Sequence, residues 1–270
     1  MATENNSPIG VFDSGIGGLT VLKEIFRVLP AESTIYLGDT ARVPYGIRSS
    51  ETVMRYSFEN TRFLVSKGIK LLVIACNTAS SVSLAAIRKS VSIPVIGVID
   101  PGAEAALKST GNKKIGIIGT EATIRSSAYR KTIKALDSSA EVFSLPCPLF
   151  VPLVEEGWTE GEVAMMVAEK YLGGMKDKGI DTLVLGCTHY PLLKDVISMV
   201  MGPDVRLIDS AVETAKKIKD ILKKDSLARK LKGKPSREFY VTDSPERFIK
   251  VGERFLEQKI KDIEKIAVSC

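Results

Sequence analysis

The sequence predicts an α/β protein of two pseudo-symmetric domains, each a mainly parallel sheet flanked by helices, with the functional site in the cleft between them. Three observations carry this expectation. Strand-length apolar runs alternate with segments of helical periodicity. The alternation restarts at Lys114, and each copy holds an apolar strand that ends in a cysteine followed by small polar residues.

Residues 9–12 read as the first strand. Leu19, Leu22, Ile25, Phe26 and Leu29 then fall at helical spacing, and Pro30 closes that helix. Residues 34–37 read as a second strand, 51–67 as a helix with Gly68 at its C-terminal stop, 71–75 as a wholly apolar strand, 80–89 as a helix and 94–99 as another strand. Such an alternation suits parallel sheets covered by helices on both faces. The second copy opens with Lys114-Ile-Gly-Ile-Ile-Gly-Thr120, which matches Pro8-Ile-Gly-Val-Phe-Asp-Ser14 in pattern. Leu183-Val-Leu-Gly-Cys-Thr-His189 matches Leu72-Val-Ile-Ala-Cys-Asn-Thr78 more closely still. Ile9 to Cys76 spans 67 residues and Ile115 to Cys187 spans 72, so strand, cysteine and polar pair recur in register, as in a duplicated unit. Beyond it, 205–208 and 237–242 are strand-like, 211–232 is a long amphipathic helix and 245–258 is helical. Ser109-Thr-Gly-Asn112 and Lys232-Gly-Lys-Pro235 are the clearest loops.

A chain of 270 residues with 44% hydrophobic and 26% charged residues has the composition of a soluble globular protein, long enough for one large or two modest domains. No apolar run approaches a membrane span, and no membrane partner is expected. Residues 1–8 are polar and include Glu4, without the basic and apolar regions of a secretory signal, so a cytoplasmic location is expected. Four cysteines with no CxxC pair argue against a disulfide scaffold and a structural zinc site. The single histidine, His189, leaves little material for a His-based metal centre, and no metal is expected. The chemistry then falls to thiols, carboxylates, hydroxyls or one imidazole. Residues 211–270 carry 16 Lys/Arg against 10 Asp/Glu, which accounts for the whole net charge of +6. Opposite signs are interspersed at helical spacing, as in Lys216, Lys217 and Lys219 with Glu213 and Asp220. That pattern favours solvated helix faces over a nucleic-acid patch.

Cys76 and Cys187 each stand at the carboxyl end of an apolar strand, where open parallel sheets bind ligands. A following helix N-terminus favours a thiolate there. Alone, either cysteine reads as a small buried hydrophobe; the duplication makes them partners facing each other across the cleft. Inverting a carbon centre needs a base on one face and an acid on the other, and a thiol with an ordinary pKa of about 8.5 can serve as either. Asp13, with Ser14 at the end of the first strand, lies on the same sheet edge as Cys76 and can orient it or accept its proton, although a carboxylate also raises a neighbouring thiol's pKa. His189, two residues after Cys187, is placed for the corresponding task.

Gly15-Ile-Gly-Gly18 lacks the third glycine of a dinucleotide fingerprint and reads as a tight turn offering N–H groups to an anion. In Gly38-Asp-Thr-Ala-Arg-Val-Pro-Tyr-Gly46, Tyr45 and Gly46 either offer a hydroxyl and backbone donors at the cleft or form a structural loop. Thr120 takes the place of Ser14 in the second copy. Asn77-Thr78 and Thr188-His189 put hydroxyl, amide and backbone donors at paired helix starts, which suits carboxylates. Glu155, at the end of an apolar run, pairs with an ammonium or with His189, or else begins a surface helix.

Asp13-Ser-Gly-Ile-Gly-Gly-Leu19, Gly38-Asp-Thr-Ala-Arg-Val-Pro-Tyr-Gly46, Ala75-Cys-Asn-Thr-Ala-Ser80 and Leu185-Gly-Cys-Thr-His-Tyr-Pro191 resemble, in this order, the motifs of the glutamate racemases within the aspartate/glutamate racemase superfamily. The resemblance runs from Ile9 to the C-terminal helices; the N-terminal extension and Cys270 are peripheral to it. It implies interconversion of L- and D-glutamate without a cofactor, supply of D-glutamate for peptidoglycan, and a homodimer. It also implies one domain of residues 1–99 and 207–270 and another of 100–206, the C-terminal segment returning to complete the first. Carried over by motif, Cys76 and Cys187 become the acid/base pair, with Asp13, His189 and Glu155 assisting. Asp13, Ser14, Tyr45, Gly46, Asn77, Thr78, Thr120, Thr188 and His189 become substrate ligands. Open alternatives are a racemase of another amino acid such as aspartate, a thiol redox enzyme cycling a Cys76–Cys187 disulfide, and a carboxylate-binding or nucleic-acid-binding protein without catalysis.

Overall fold

In the computed structural model, which describes residues 5–230 and 233–268, the apolar runs become strands and the periodic segments helices. The first half comprises β1 (Ile9–Asp13), α1 (Leu19–Val28), β2 (Thr34–Gly38), α2 (Ser50–Ser66), β3 (Leu71–Ile74), α3 (Asn77–Ser90) and β4 (Val95–Gly97). The second comprises α4 (Ile99–Ser109), β5 (Lys114–Gly119), α5 (Glu121–Ser126), α6 (Ala128–Leu136), β6 (Glu141–Pro146), α7 (Phe150–Glu156), α8 (Gly161–Lys176), β7 (Thr182–Gly186), α9 (Lys194–Met201) and β8 (Arg206–Asp209). Then follow α10 (Ser210–Lys224), β9 (Arg237–Val241), α11 (Pro245–Leu256) and β10 (Ile263–Lys265).

The strands form two parallel sheets, ordered β10-β9-β2-β1-β3-β4 and β6-β5-β7-β8. The order β2-β1-β3-β4 thus recurs as β6-β5-β7-β8, and the duplication legible in the sequence is a duplication of topology. β1, β2, β3 and β7 are buried along their whole length, as strands covered by helices on both faces must be. After the second sheet the chain returns and adds β9 to the open edge of β2, with Tyr36 opposite Phe239. β8 pairs with β7 through Leu183 and Leu207. The expected boundary at 206/207 therefore falls inside a strand, and the chain leaves the second sheet only at Ser210, where α10 packs on α1 and α4.

Three elements differ from expectation for physical reasons. The helix expected at 80–89 starts three residues earlier, because Cys76 itself caps it. The strand expected at 94–99 stops at Gly97. The Ser80 hydroxyl accepts from the Val98 N–H at 3.3 Å, and a Cβ on Gly97 would lie 2.9 Å from that oxygen, so the chain turns at once into α4. The helix expected to run through 232 ends at Lys224. Ser226 takes a left-handed conformation and the Leu227 N–H returns to the Leu222 carbonyl at 2.9 Å. Lys232, residues 1–4 and Cys270 lie outside the described residues.

Several tail lysines pair with carboxylates: Lys216 with Glu213, Lys217 with Glu104, Lys259 with Glu253 and Lys265 with Asp243. Among the described residues no helix is long and apolar enough to cross a membrane. At the amino-terminal edge of the first sheet, Lys70 is fully buried against Glu32, 2.5 Å away, and donates to the Asn5 and Leu227 carbonyls. The second oxygen of Glu32 accepts from the Arg229 N–H at 2.8 Å. This pair ties the N-terminal segment, β3 and the end of α10 together. Glu32→Gln leaves a buried ammonium without its counter-charge, and urea denaturation is expected to show a loss of about 3–5 kcal/mol.

Candidate active site

Parallel strands present all their carboxyl ends at one edge, and the two sheets bring those edges to the same cleft. Cys76 follows β3, and its Sγ accepts from the Ala79 N–H at 3.5 Å, which leaves Asn77 and Thr78 in the first turn of α3. Asp13 ends the adjacent β1 and is fully buried. Its Oδ2 accepts from the Gly15 N–H at 2.9 Å, while Oδ1 has no hydrogen-bond partner. The anion at the glycine turn is therefore the chain's own carboxylate. The remaining glycines serve close approach: a Cβ on Gly17 would lie 2.2 Å from Thr188 Oγ1 and 2.5 Å from His189 Nδ1, and one on Gly18 would lie 2.5 Å from Asp13 Cβ. Thr20 fastens this joint by donating to the Thr188 carbonyl at 2.9 Å.

Cys187 follows β7. Its Sγ lies 3.9 Å from His189 Nδ1, and His189 Nε2 lies 3.2 Å from Glu155 Oε1 at the end of α7. Arg247 of α11 reaches the other Glu155 oxygen at 3.3 Å. Phe255 packs edge-on against the imidazole with ring centroids 5.2 Å apart. Glu155 thus pairs with His189 rather than beginning a helix. The expectation of paired helix starts holds only in the first half: a 3-10 turn at Tyr190–Leu193 separates His189 from α9.

The two thiols are handled differently. Burial first, then the Asp13 charge, pushes the Cys76 thiol up to about 12, against weaker opposing bonds from the Ala79 N–H and the Ser14 hydroxyl. Burial also raises Asp13, opposed chiefly by the charge of His189. For His189 burial pulls the other way, but its bonds to Cys187 and Glu155 outweigh that and raise its pKa. Glu155 is lowered, by its bond to His189 and then by Arg247. The first half therefore holds a protonated thiol beside a carboxyl group, and the second an imidazolium beside Cys187.

Neutral donors gather at the start of α3 and of α5. The hydroxyls of Thr78, Thr120 and Thr123 form a triangle with sides of 2.8, 3.1 and 3.0 Å across the two halves. Asn77 accepts from the Tyr129 hydroxyl at 2.8 Å, and its amide nitrogen is buried with no partner. An orphan donor of this kind costs about 1–3 kcal/mol, which an incoming acceptor would relieve. The Tyr45 hydroxyl is not offered to the cleft. It donates to Asp39 and accepts from Asn60, and burial beside Asp39 keeps it protonated. Gly46 lies against Thr120, whose Cβ would be 2.8 Å from a Cβ at that glycine.

Thr123, Tyr129 and Arg247 were not foreseen. Thr123 had a local signal, three residues after the helix-capping Thr120; the other two are brought in only by tertiary packing. Among the described residues no three His, Cys, Asp or Glu side chains gather as a metal ion requires.

Residues 9–218 match the Asp/Glu/Hydantoin racemase family. A glutamate racemase of Geobacter metallireducens is 55% identical, over 97% of this chain and 97% of its own. The chain belongs to the glutamate racemase family. Among solved glutamate racemases, isoform RacE1 of Bacillus anthracis is 44% identical with a TM-score of 0.94, over 98% of this chain and 99% of its own. That of Francisella tularensis, solved in complex with D-glutamate, is 40% identical with a TM-score of 0.93, over 98% of each. As a member of the glutamate racemases the protein is an amino-acid racemase, an isomerase.

The sole imidazole makes its charge directly measurable. Replacing Glu155 by Gln removes an anion that favours imidazolium, so the His189 midpoint followed by NMR is expected to move toward acid by about 1–3 pH units. In the wild type the pair's contribution to stability is full between the ordinary Glu value of 4.5 and the ordinary His value of 6.5. It is lost above that as His189 titrates at its raised value, and lost in acid as Glu155 protonates.

Proposed function

We propose that this protein interconverts L- and D-glutamate by two-base proton transfer between Cys76 and Cys187, without a cofactor. The observation that carries this reading is the occurrence of two thiols at equivalent strand ends, each with its own proton-handling neighbour. In one direction a thiolate takes the Cα proton from one face while the opposing S–H gives its proton to the other; the sulfurs exchange roles for the reverse reaction. Asp13 beside Cys76, and His189 held by Glu155 beside Cys187, keep each proton close to its sulfur. The substrate carboxylates fall to Asn77, the threonine hydroxyls and the backbone near Ser14, Gly46 and Thr188. Fixed neutral donors of this kind stabilise the negative charge that develops as the Cα proton leaves.

The activity would supply D-glutamate for peptidoglycan in the cytoplasm, from a homodimer with no nucleic-acid or membrane partner. Pairing of the tail lysines with carboxylates supports the reading of those helices as solvated faces.

Incubation with L-glutamate in D₂O, without added cofactor, is expected to give racemic product deuterated at Cα. Cys76→Ala and Cys187→Ala are each expected to lose racemisation by about 10²–10⁴-fold or more. Near-normal turnover in either variant would exclude the two-base mechanism, and no racemisation by the wild type would exclude the activity itself.

A further inference from the structure

We propose that Asp39 and Arg42 are positioning residues: they form a charged node, centred on the buried Asp39, that holds the Tyr45–Gly46 turn against Thr120 and so sets the affinity for substrate. The inference rests on the proposed racemase reading. It starts from a contrast between the two ends of β2. Glu32, before the strand, pairs with Lys70 at the amino edge of the sheet, far from the chemistry. Asp39, after the strand, is equally buried but stands at the carboxyl edge, where parallel sheets bind their ligands.

Asp39 accepts four hydrogen bonds from three donor atoms. Arg42 Nε bonds both of its oxygens, at 2.9 and 2.7 Å; the Thr242 hydroxyl of the returning C-terminal segment bonds Oδ1 at 3.0 Å; and the Tyr45 hydroxyl bonds Oδ2. Arg42 continues to Glu59 and, at 3.1 Å, to the side-chain oxygen of Asn60 on α2, with its guanidinium 4.1 Å above the Tyr56 ring. The Asn60 amide closes the circuit by donating to the Tyr45 hydroxyl at 3.1 Å. Thr242 also accepts from the Ala41 N–H at 2.8 Å, so the turn is fastened at its start, at Arg42 and at Tyr45.

Directional bonds of this kind specify one geometry where an apolar contact would allow several. The geometry specified is that of a turn touching the other half. Gly46 lies against Thr120, and the Arg48 carbonyl accepts from Arg125 of α5 at 3.3 Å. The node thus joins three parts of the chain, the segment after β2, α2 and the end of β9, to the edge of the threonine triangle. A loose turn would cost substrate binding more than the proton transfers at the two sulfurs.

The test uses the full chain, with steady-state racemisation and calorimetric binding of D-glutamate read in parallel. Asp39→Asn, Arg42→Gln and Thr242→Val are expected to raise KM and Kd about tenfold or more while kcat changes by less than about threefold. Thr242→Ser, which keeps the hydroxyl, is expected to restore both constants. Glu32→Gln is the control for buried charge in general and is expected to lower Tm with KM unmoved. Should the Asp39 and Arg42 variants fail to fold, the Thr242 pair decides alone. Wild-type KM and Kd in Thr242→Val, or loss of kcat and KM in step with Tm across the series, would overturn the positioning role. An inactive wild type that still binds glutamate would remove the racemase reading while leaving Kd to judge the node. A wild type that neither turns over nor binds would overturn both.

Discussion

The close approach of the glycine turn after β1 to the Thr188-His189 loop after β7 is the contact on which the rest of the site depends. Each half by itself places a cysteine at the carboxyl end of a strand, which parallel topology does for any residue there. What makes the two cysteines parts of one site is that Gly17 leaves no Cβ between the halves and that Thr20 holds the Thr188 carbonyl. Once that joint is made, His189 falls within electrostatic reach of Asp13, Glu155 on α7 meets Arg247 on α11, and Tyr129 on α6 meets Asn77 on α3. An apolar core running from Leu19 and Leu22 through Ile118 to Tyr190 backs the joint from both sides, so the cleft faces are held by burial as well as by hydrogen bonds.

The repeated unit places a cysteine at the end of one strand in each half, and the surroundings of the two differ. Where the first half has Asp13, the second has Gly119; where the first has Thr78, the second has His189. One thiol therefore has a carboxyl group beside it, delivered by the neighbouring strand, and the other an imidazole delivered by its own loop. Burial dominates at Cys76 and keeps the proton on sulfur, whereas at His189 the partners overcome burial and keep the proton on the ring.

Much of the architecture and the heart of the site could be taken from the sequence, because both are set over short distances along the chain. Apolar strands, helical periodicity and the two cysteine contexts each occupy fewer than about twenty consecutive residues, and the repeat needed only comparison of the chain with itself. Asp13, Cys76, Cys187 and His189 were legible for that reason. The tertiary structure decided what depends on residues distant in sequence. It turned the Tyr45 hydroxyl away from the cleft toward Asp39 and Asn60, brought Thr123, Tyr129 and Arg247 to the site, and placed the crossing between halves at Ser210, since β8 finds its partner in β7. It also decided that Cys76 keeps its proton, because a pKa inside a protein is the sum of desolvation and of charges gathered through space, and no local run of sequence contains that sum.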